Sequence, residues 1–104
     1  MKSLRLLPEV LGDAAQAAQW YEEKGHCGLG DRLLDVFYSS LPHIQQEGEI
    51  YRKVYKDFRR ILPNPFPYAV YYQIHGDWVV ISMVIHVARN PRLIRKLLRK
   101  RNSS

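Results

Sequence analysis

The hydrophobic rhythm of this chain changes at Gly48, and that change limits what it can fold into. Upstream, apolar residues recur at helical spacing: Leu11, Ala14, Ala15, Ala18 and Tyr21 form one stripe, and Leu29, Leu33, Phe37, Leu41 and Ile44 form a second. Pro8 and Glu9 suit the first turn of a helix, where a missing N–H costs nothing and a carboxylate meets the positive end of the dipole. The stretch GHCGLGD between the stripes supplies glycines for a sharp reversal, so the pair reads as an antiparallel helical hairpin. Pro42 falls inside the second stripe and is expected to kink or locally break that helix, because its ring clashes with the carbonyl of Tyr38.

Downstream the period drops to two. IYRKVYKDFRRIL alternates apolar and basic residues, the mark of a strand with one solvated face. Pro63, Asn64 and Pro65 interrupt it, after which Tyr68, Val70, Tyr72 and Ile74 line one face of the next strand and Tyr71 the other. Gly76-Asp77 suits a tight hairpin turn, and WVVISMVIHVA is β-branched enough to be the central, most buried strand. SLRLL ahead of Pro8 reads as a short first strand. In NPRLIRKLLRKR, Asn90 is a candidate N-cap and Pro91 the first helical residue; Leu93, Ile94, Leu97 and Leu98 form a stripe opposite Arg92, Arg95, Lys96, Arg99 and Lys100. The expected order is β-α-α-β-β-β-α: an α+β fold with a helical hairpin packed on a small, mostly antiparallel sheet, in one domain over 1–104. The basic last helix is expected at about 91–100, with 101–104 a disordered tail.

Charge is divided as sharply as periodicity. Four Lys and Arg face eight Asp and Glu in residues 1–50, a net of −4, whereas twelve face only Asp57 and Asp77 from residue 51 on, a net of +10. A surface so polarised suits an acidic protein or a nucleic acid. Cys27 is the only cysteine, so no intramolecular disulfide forms. The N-terminus lacks the apolar region of a signal peptide, and the run Trp78–Ile85 is too short to span a bilayer. A reducing, cytoplasmic setting without a membrane role is expected.

Several chemistries find no support. His26, His43, His75 and His86 are scattered with no pair at ligand spacing, so neither a metal nor another cofactor is expected. The glycines of GHCGLGD follow no strand and precede no Lys-Ser/Thr, unlike a phosphate loop. Asp57 and Asp77 are assigned to turns, and there is no Gly-x-Ser-x-Gly elbow. What survives is a basic and aromatic set: Lys53, Lys56, Arg59, Arg60, Tyr68, Tyr71, His86 and Arg89. Arginine and lysine can neutralise a phosphorane and His or Tyr can move a proton, so metal-free RNA cleavage by a 2′-hydroxyl is chemically open. Against it, Tyr68 and Tyr72 at strand spacing read as packing residues, leaving Arg59, Arg60 and Arg89 as the better contact candidates. The last helix has three readings: a solvated face, a nucleic-acid contact, or a seam for a partner's helix.

AAQWYEEKG followed by GLGDRLLDVF resembles the helical hairpin of the RelE/ParE toxins of bacterial toxin–antitoxin modules. IYRKVYKDFRRIL, FPYAVYY and VVISMVIHVARNP resemble that family's sheet, with an arginine pair, Phe-Pro-Tyr and a His-x-x-Arg-x-Pro pattern. The resemblance covers nearly the whole chain and implies the fold order given above. It implies a toxin neutralised by an acidic antitoxin whose C-terminal segment folds on binding. RelE-like members cut mRNA on the ribosome; ParE-like members, the plasmid-stabilisation branch, poison DNA gyrase and are not nucleases. RelE-type sites carry a tyrosine near the C-terminus, and none follows Tyr72 here, which favours the ParE-like branch. The residues implied for target or antitoxin contact are Lys53, Lys56, Arg59, Arg60, Tyr68, His86, Arg89, Arg92 and Arg95; a ribonuclease would use Arg59, Arg60, His86, Arg89 and Tyr68. A third reading keeps the fold as a non-toxic protein-binding module.

Overall fold

The computed structural model describes residues 1–102. The elements are β1 (Ser3–Leu6), α1 (Pro8–Glu23), α2 (Leu29–Glu47), a single 3-10 turn (Gly48–Ile50), β2 (Lys53–Tyr55), β3 (Phe58–Ile61), β4 (Tyr68–His75), β5 (Trp78–His86) and α3 (Pro91–Asn102). The five strands form one sheet ordered β1-β5-β4-β3-β2, antiparallel throughout except that β1 runs parallel to β5.

The expected order holds, with one strand more. IYRKVYKDFRRIL is two short strands rather than one, because the chain reverses at Lys56-Asp57, where Lys56 takes a left-handed φ of 49°. The sheet's centre is β4, not β5, since β1 adds only four residues beyond β5 while β3 and β2 extend the other side. Pro42 does not break α2. It sits on the exposed side of the helix, where the carbonyl that loses its donor can be hydrated. Leu11 and Ala15 are exposed, and α1 instead buries Val10, Ala14, Ala17 and Ala18. α3 runs on through Arg101 and Asn102, where a disordered tail was expected; residues 103–104 of that tail lie outside the described residues.

Two cores follow from strand alternation. On one face α1 and α2 press Val10, Ala14, Phe37, Leu41 and Ile44 against Val70, Tyr72, Val79, Ile81 and Val84. On the other, α3 lays Ile94 and Leu98 over Phe58, Ala69, Tyr71 and Met83. Tyr71 and Tyr72 thus serve opposite cores. A bulge in β5 makes the last part possible: Tyr71 pairs with Met83 but Tyr72 pairs with Ile81, leaving Ser82 as the extra residue. Below Ser82 the odd-numbered Val79 and Ile81 face the hairpin; above it the even-numbered Val84 does.

The passage from helix to sheet is held by cross-strand neighbours. The Tyr72 hydroxyl donates to the Gly48 carbonyl at 2.6 Å, and Arg59, opposite Tyr72, donates Nη1 to the carbonyls of Glu49 and Tyr51, each at 2.8 Å. The hairpin itself closes tightly at Gly30, where a Cβ would lie 2.5 Å from the Ala18 carbonyl oxygen. Glu22 satisfies the Gly30 N–H at 3.1 Å, an orphan donor of α2's first turn.

Two outcomes are expected. Gly30→Ala must push α1 and α2 apart and should cost about 1–3 kcal/mol in chemical denaturation; an unchanged midpoint would mean the hairpin is not tightly closed. Tyr72→Phe should cost roughly 1–2 kcal/mol by orphaning the Gly48 carbonyl. Burial, then the neighbouring Tyr51, push the Tyr72 phenol up to about 12 against the pull of the Arg59 charge, above the usual tyrosine value of about 10. The folded state holds that proton more tightly than the unfolded chain. The contribution is therefore intact below about pH 10 and lost as pH rises towards 12. The stability gap between wild type and Tyr72→Phe should narrow across that window.

Candidate functional site

α3 is docked by Ile94 and Leu98 alone among its fully buried residues, and its placement creates a cleft on each side. The first cleft, of about 380 Å³, lies between α3 and α1 and runs over the upper half of β5. The second, of about 230 Å³, lies between α3 and the β2–β3 hairpin.

In the first cleft the sheet brings Tyr68 and His86 together as paired neighbours on β4 and β5, with ring centroids 5.1 Å apart and edge to face. Burial, reinforced by the nearby Tyr21 phenol, raises the Tyr68 hydroxyl above its ordinary value against the opposing charge of Arg89. The His86 Nδ1 accepts the Ala88 N–H at 3.0 Å, so the neutral ring carries its proton on Nε2. Arg89 follows in the turn, its N–H bound to the His86 carbonyl at 3.1 Å and its side chain on the cleft wall. These groups can bind and polarise an acceptor, and His86 can exchange a proton through Nε2.

The far end of this cleft is closed by Asp13 of α1 and Arg101 of α3, which meet around the sheet's edge. Arg101 donates from Nη1 to Asp13 Oδ2 and from Nη2 to Oδ1 at 2.9 Å, a two-point contact. The side chains keep only 13% and 15% of their exposure, so removing one partner, which strands the other charge away from water, costs more than breaking a surface ion pair. Each also takes a backbone group of the bulged strand: Asp13 Oδ2 accepts the Val84 N–H at 3.1 Å, and Arg101 Nη1 donates to the Ser82 carbonyl at 3.0 Å. The hydrogen bonds to Asp13 raise the Arg101 guanidinium further above its ordinary value, outweighing its desolvation.

The second cleft gathers Arg60, Arg89 and Arg95 around Tyr71 and Tyr55 over an apolar floor of Val54, Val87, Ile94 and Leu98. Arg60 donates to the Tyr71 hydroxyl at 3.2 Å. Tyr55 stacks on Phe58 with rings 6.2 Å apart and 7° from parallel, and accepts a bond from Arg99 Nη1 at 3.0 Å. That bond, then the Arg99 and Lys56 charges, lowers the Tyr55 phenol below its ordinary value.

The structure therefore parts the sequence-derived set. Tyr68, His86 and Arg89 share the first cleft; Arg60, Arg89 and Arg95 share the second; Arg89 borders both. Arg59 belongs to neither, being spent on the helix-to-sheet passage with its Nε buried and unpartnered. Arg59 and Arg60 project to opposite faces, as adjacent strand residues must. Lys53 pairs with Asp57 at 3.3 Å, Lys56 is at the tip of the β2–β3 turn, and Arg92 is on the exposed face of α3. Asp13, Trp20 and Arg101 were not anticipated. Arg101 stands three residues past the buried Leu98 and seven past Ile94, on the apolar stripe itself, and a charge in that position was the available signal. Among the described residues no three His, Cys, Asp or Glu gather as metal ligands, and no helix is long and apolar enough to cross a membrane.

No protein-family model matches this chain, and no curated protein sequence does either. The likeness is in three dimensions. A chain of the structure described as the chromosomal ParDE TA system from P. aeruginosa superposes with a TM-score of 0.74, covering 84% of this chain and 97% of its own length at 13% identity. The protein thus shares the fold of that chain, a helical hairpin packed on a small, mostly antiparallel sheet.

Asp13 and Arg101 should prove coupled. In a double-mutant cycle of Asp13→Ala and Arg101→Ala, denaturation should give an interaction energy of about 1–3 kcal/mol. Additive costs would mean each residue acts only through its own backbone bond.

Proposed function

We propose that this chain is the toxin of a type II toxin–antitoxin module, of the ParE-like kind, acting in the cytoplasm by inhibiting DNA gyrase and held inactive by an acidic antitoxin. The observation that carries this reading is the fold, which matches nearly the full length of a chain from a ParDE system. Charge placement supports the antitoxin: the half of the chain with a net +10 builds β2–β5 and α3, and an acidic segment that folds on binding would find its counter-charges there.

The dispersal of the arginines favours gyrase over messenger RNA. A metal-free ribonuclease needs its proton-transfer group and its phosphate-neutralising cations around one phosphorus. Here His86 and Tyr68 share their cleft with Arg89 alone of the candidate arginines, Arg60 opens on the other side of α3, and Arg59 is committed to backbone carbonyls. Arg60 and Arg95, converging on the second cleft, are the residues assigned to target or antitoxin contact.

Induced expression in bacteria, scored together for growth, DNA-damage response and mRNA integrity, tests this. Arrest with filamentation, damage signalling and intact messages is the expected result. Arrest with cut messages would establish the ribonuclease instead, and growth with soluble protein present would leave a binding module. Arg60→Ala/Arg95→Ala should relieve arrest at least tenfold in plating efficiency while circular dichroism shows the fold kept, at a stability cost of about 1 kcal/mol because Arg60 is half-buried and bonds the hydroxyl of the buried Tyr71.

A further inference from the structure

Strand β5 has nine residues and its parallel neighbour β1 only four, so the upper part of β5 runs on without a partner on that side. The direction of its backbone groups follows from the bonds at either end. The Ile81 carbonyl accepts from Leu7, on the β1 side, whereas the Val87 N–H donates to Pro67, on the β4 side. Since a residue's N–H and C=O in an antiparallel ladder point the same way and alternate along the strand, Ile85 faces β4. Val84 and His86 face the open edge.

Four edge-facing groups result, and two are already occupied: the Val84 N–H by Asp13 and the His86 carbonyl by the Arg89 N–H. Among the described residues, the Val84 carbonyl and the His86 N–H have no partner. These flank Ile85, and in a parallel ladder one residue of the incoming strand donates to the carbonyl before its opposite number and accepts from the N–H after it. The vacant edge therefore fits a strand running parallel to β5, in line with β1, with one residue opposite Ile85. Its walls are set for alternating side chains: Trp20 of α1, 48% exposed, on one side, and Leu93 of α3, 36% exposed, on the other. Arg89, exposed and without an ion pair among the described residues, stands at the mouth. Asp13 brings no uncompensated charge, being paired with Arg101. The opposite edge of the sheet carries the usual protection: β2 is three residues long, irregular in register, and bears Lys53.

We propose that the free edge of β5 between α1 and α3 is a docking site for an extended acidic peptide segment, which adds a sixth strand parallel to β5 with apolar side chains against Trp20 and Leu93 and a carboxylate on Arg89. Affinity comes from the walls and the charge; the two backbone bonds set direction and register. The site does not depend on whether the chain arrests growth.

The test uses the full chain with Trp78→Phe, so that Trp20 is the sole tryptophan, and a capped octapeptide with consecutive central valines, which reach both walls, flanked by glutamates. Saturable change in Trp20 emission is expected, with the amide resonance of His86 shifted and its hydrogen exchange slowed. N-methylating alternate peptide residues, Arg89→Glu and Leu93→Glu should each weaken binding at least tenfold, and a valine–lysine peptide should not compete. Undiminished binding of the N-methylated peptide would overturn strand addition. So would protection appearing at β2, shifts confined to the outer face of α3 around Arg92 and Lys96, or no binding at all. A circular-dichroism melt of each variant separates lost binding from lost fold.

Discussion

Two helices on opposite faces of a sheet have no direct reason to know of each other; here Asp13 and Arg101 join them. The pair closes around the edge of β5 just where β1 stops and Ser82 bulges, and it takes up an N–H and a carbonyl that the irregular strand would otherwise leave unpaired. An ion pair away from bulk water is favourable only when its geometry is good and its remaining hydrogen-bonding capacity is used, and the bulge meets that condition. In return the pair fixes the C-terminal turn of α3, a helix whose fully buried contacts are otherwise Ile94 and Leu98. The direction of α3 across the sheet, and hence the width of both clefts, depends on that anchor.

α3 in turn acts as a partition. It separates a cleft of histidine and tyrosine from one of arginines, with Arg89 at the boundary. A charge count sees one basic half; the folded surface has two sites of different chemistry. The first mixes apolar walls with a strand edge, while the second is cationic over an apolar floor, suited to a carboxylate or phosphate beside a small apolar group. A partner engaging both would have to pass over or around α3.

The parts legible in the sequence were those governed by periodicity. Two amphipathic helices, the turn at GHCGLGD, the alternation of Tyr68, Val70 and Tyr72 and the helix opened by Asn90-Pro91 are local patterns, and the structure contains each of them. The misread features were settled by neighbours distant in sequence. Lys56 turns a long alternating run into a hairpin although its residue type disfavours positive φ. Pro42 is tolerated because its side of the helix meets water. Ser82 shifts the alternation of β5 by one, which no reading of WVVISMVIHVA by twos can reveal. At the candidate site, residue types were recognisable but their grouping was not. Arg59 and Arg60 look like a matched pair in the string, yet the pleat sends one to a structural clamp and the other to a cleft.

The pairing of β1 with β5 and the bond between Asp13 and Arg101 also order events in time. Ser3 waits for Trp78, and Asp13 is bound by a residue 88 positions further on. While the chain is being made, the helical hairpin can form early, but its first strand has no neighbour until most of the sequence has been synthesised, and the last helix is locked only when Arg101 has cleared the ribosomal tunnel. Contacts so far apart in sequence slow folding. The folded surface, with its two clefts, therefore becomes available only after synthesis has passed Arg101.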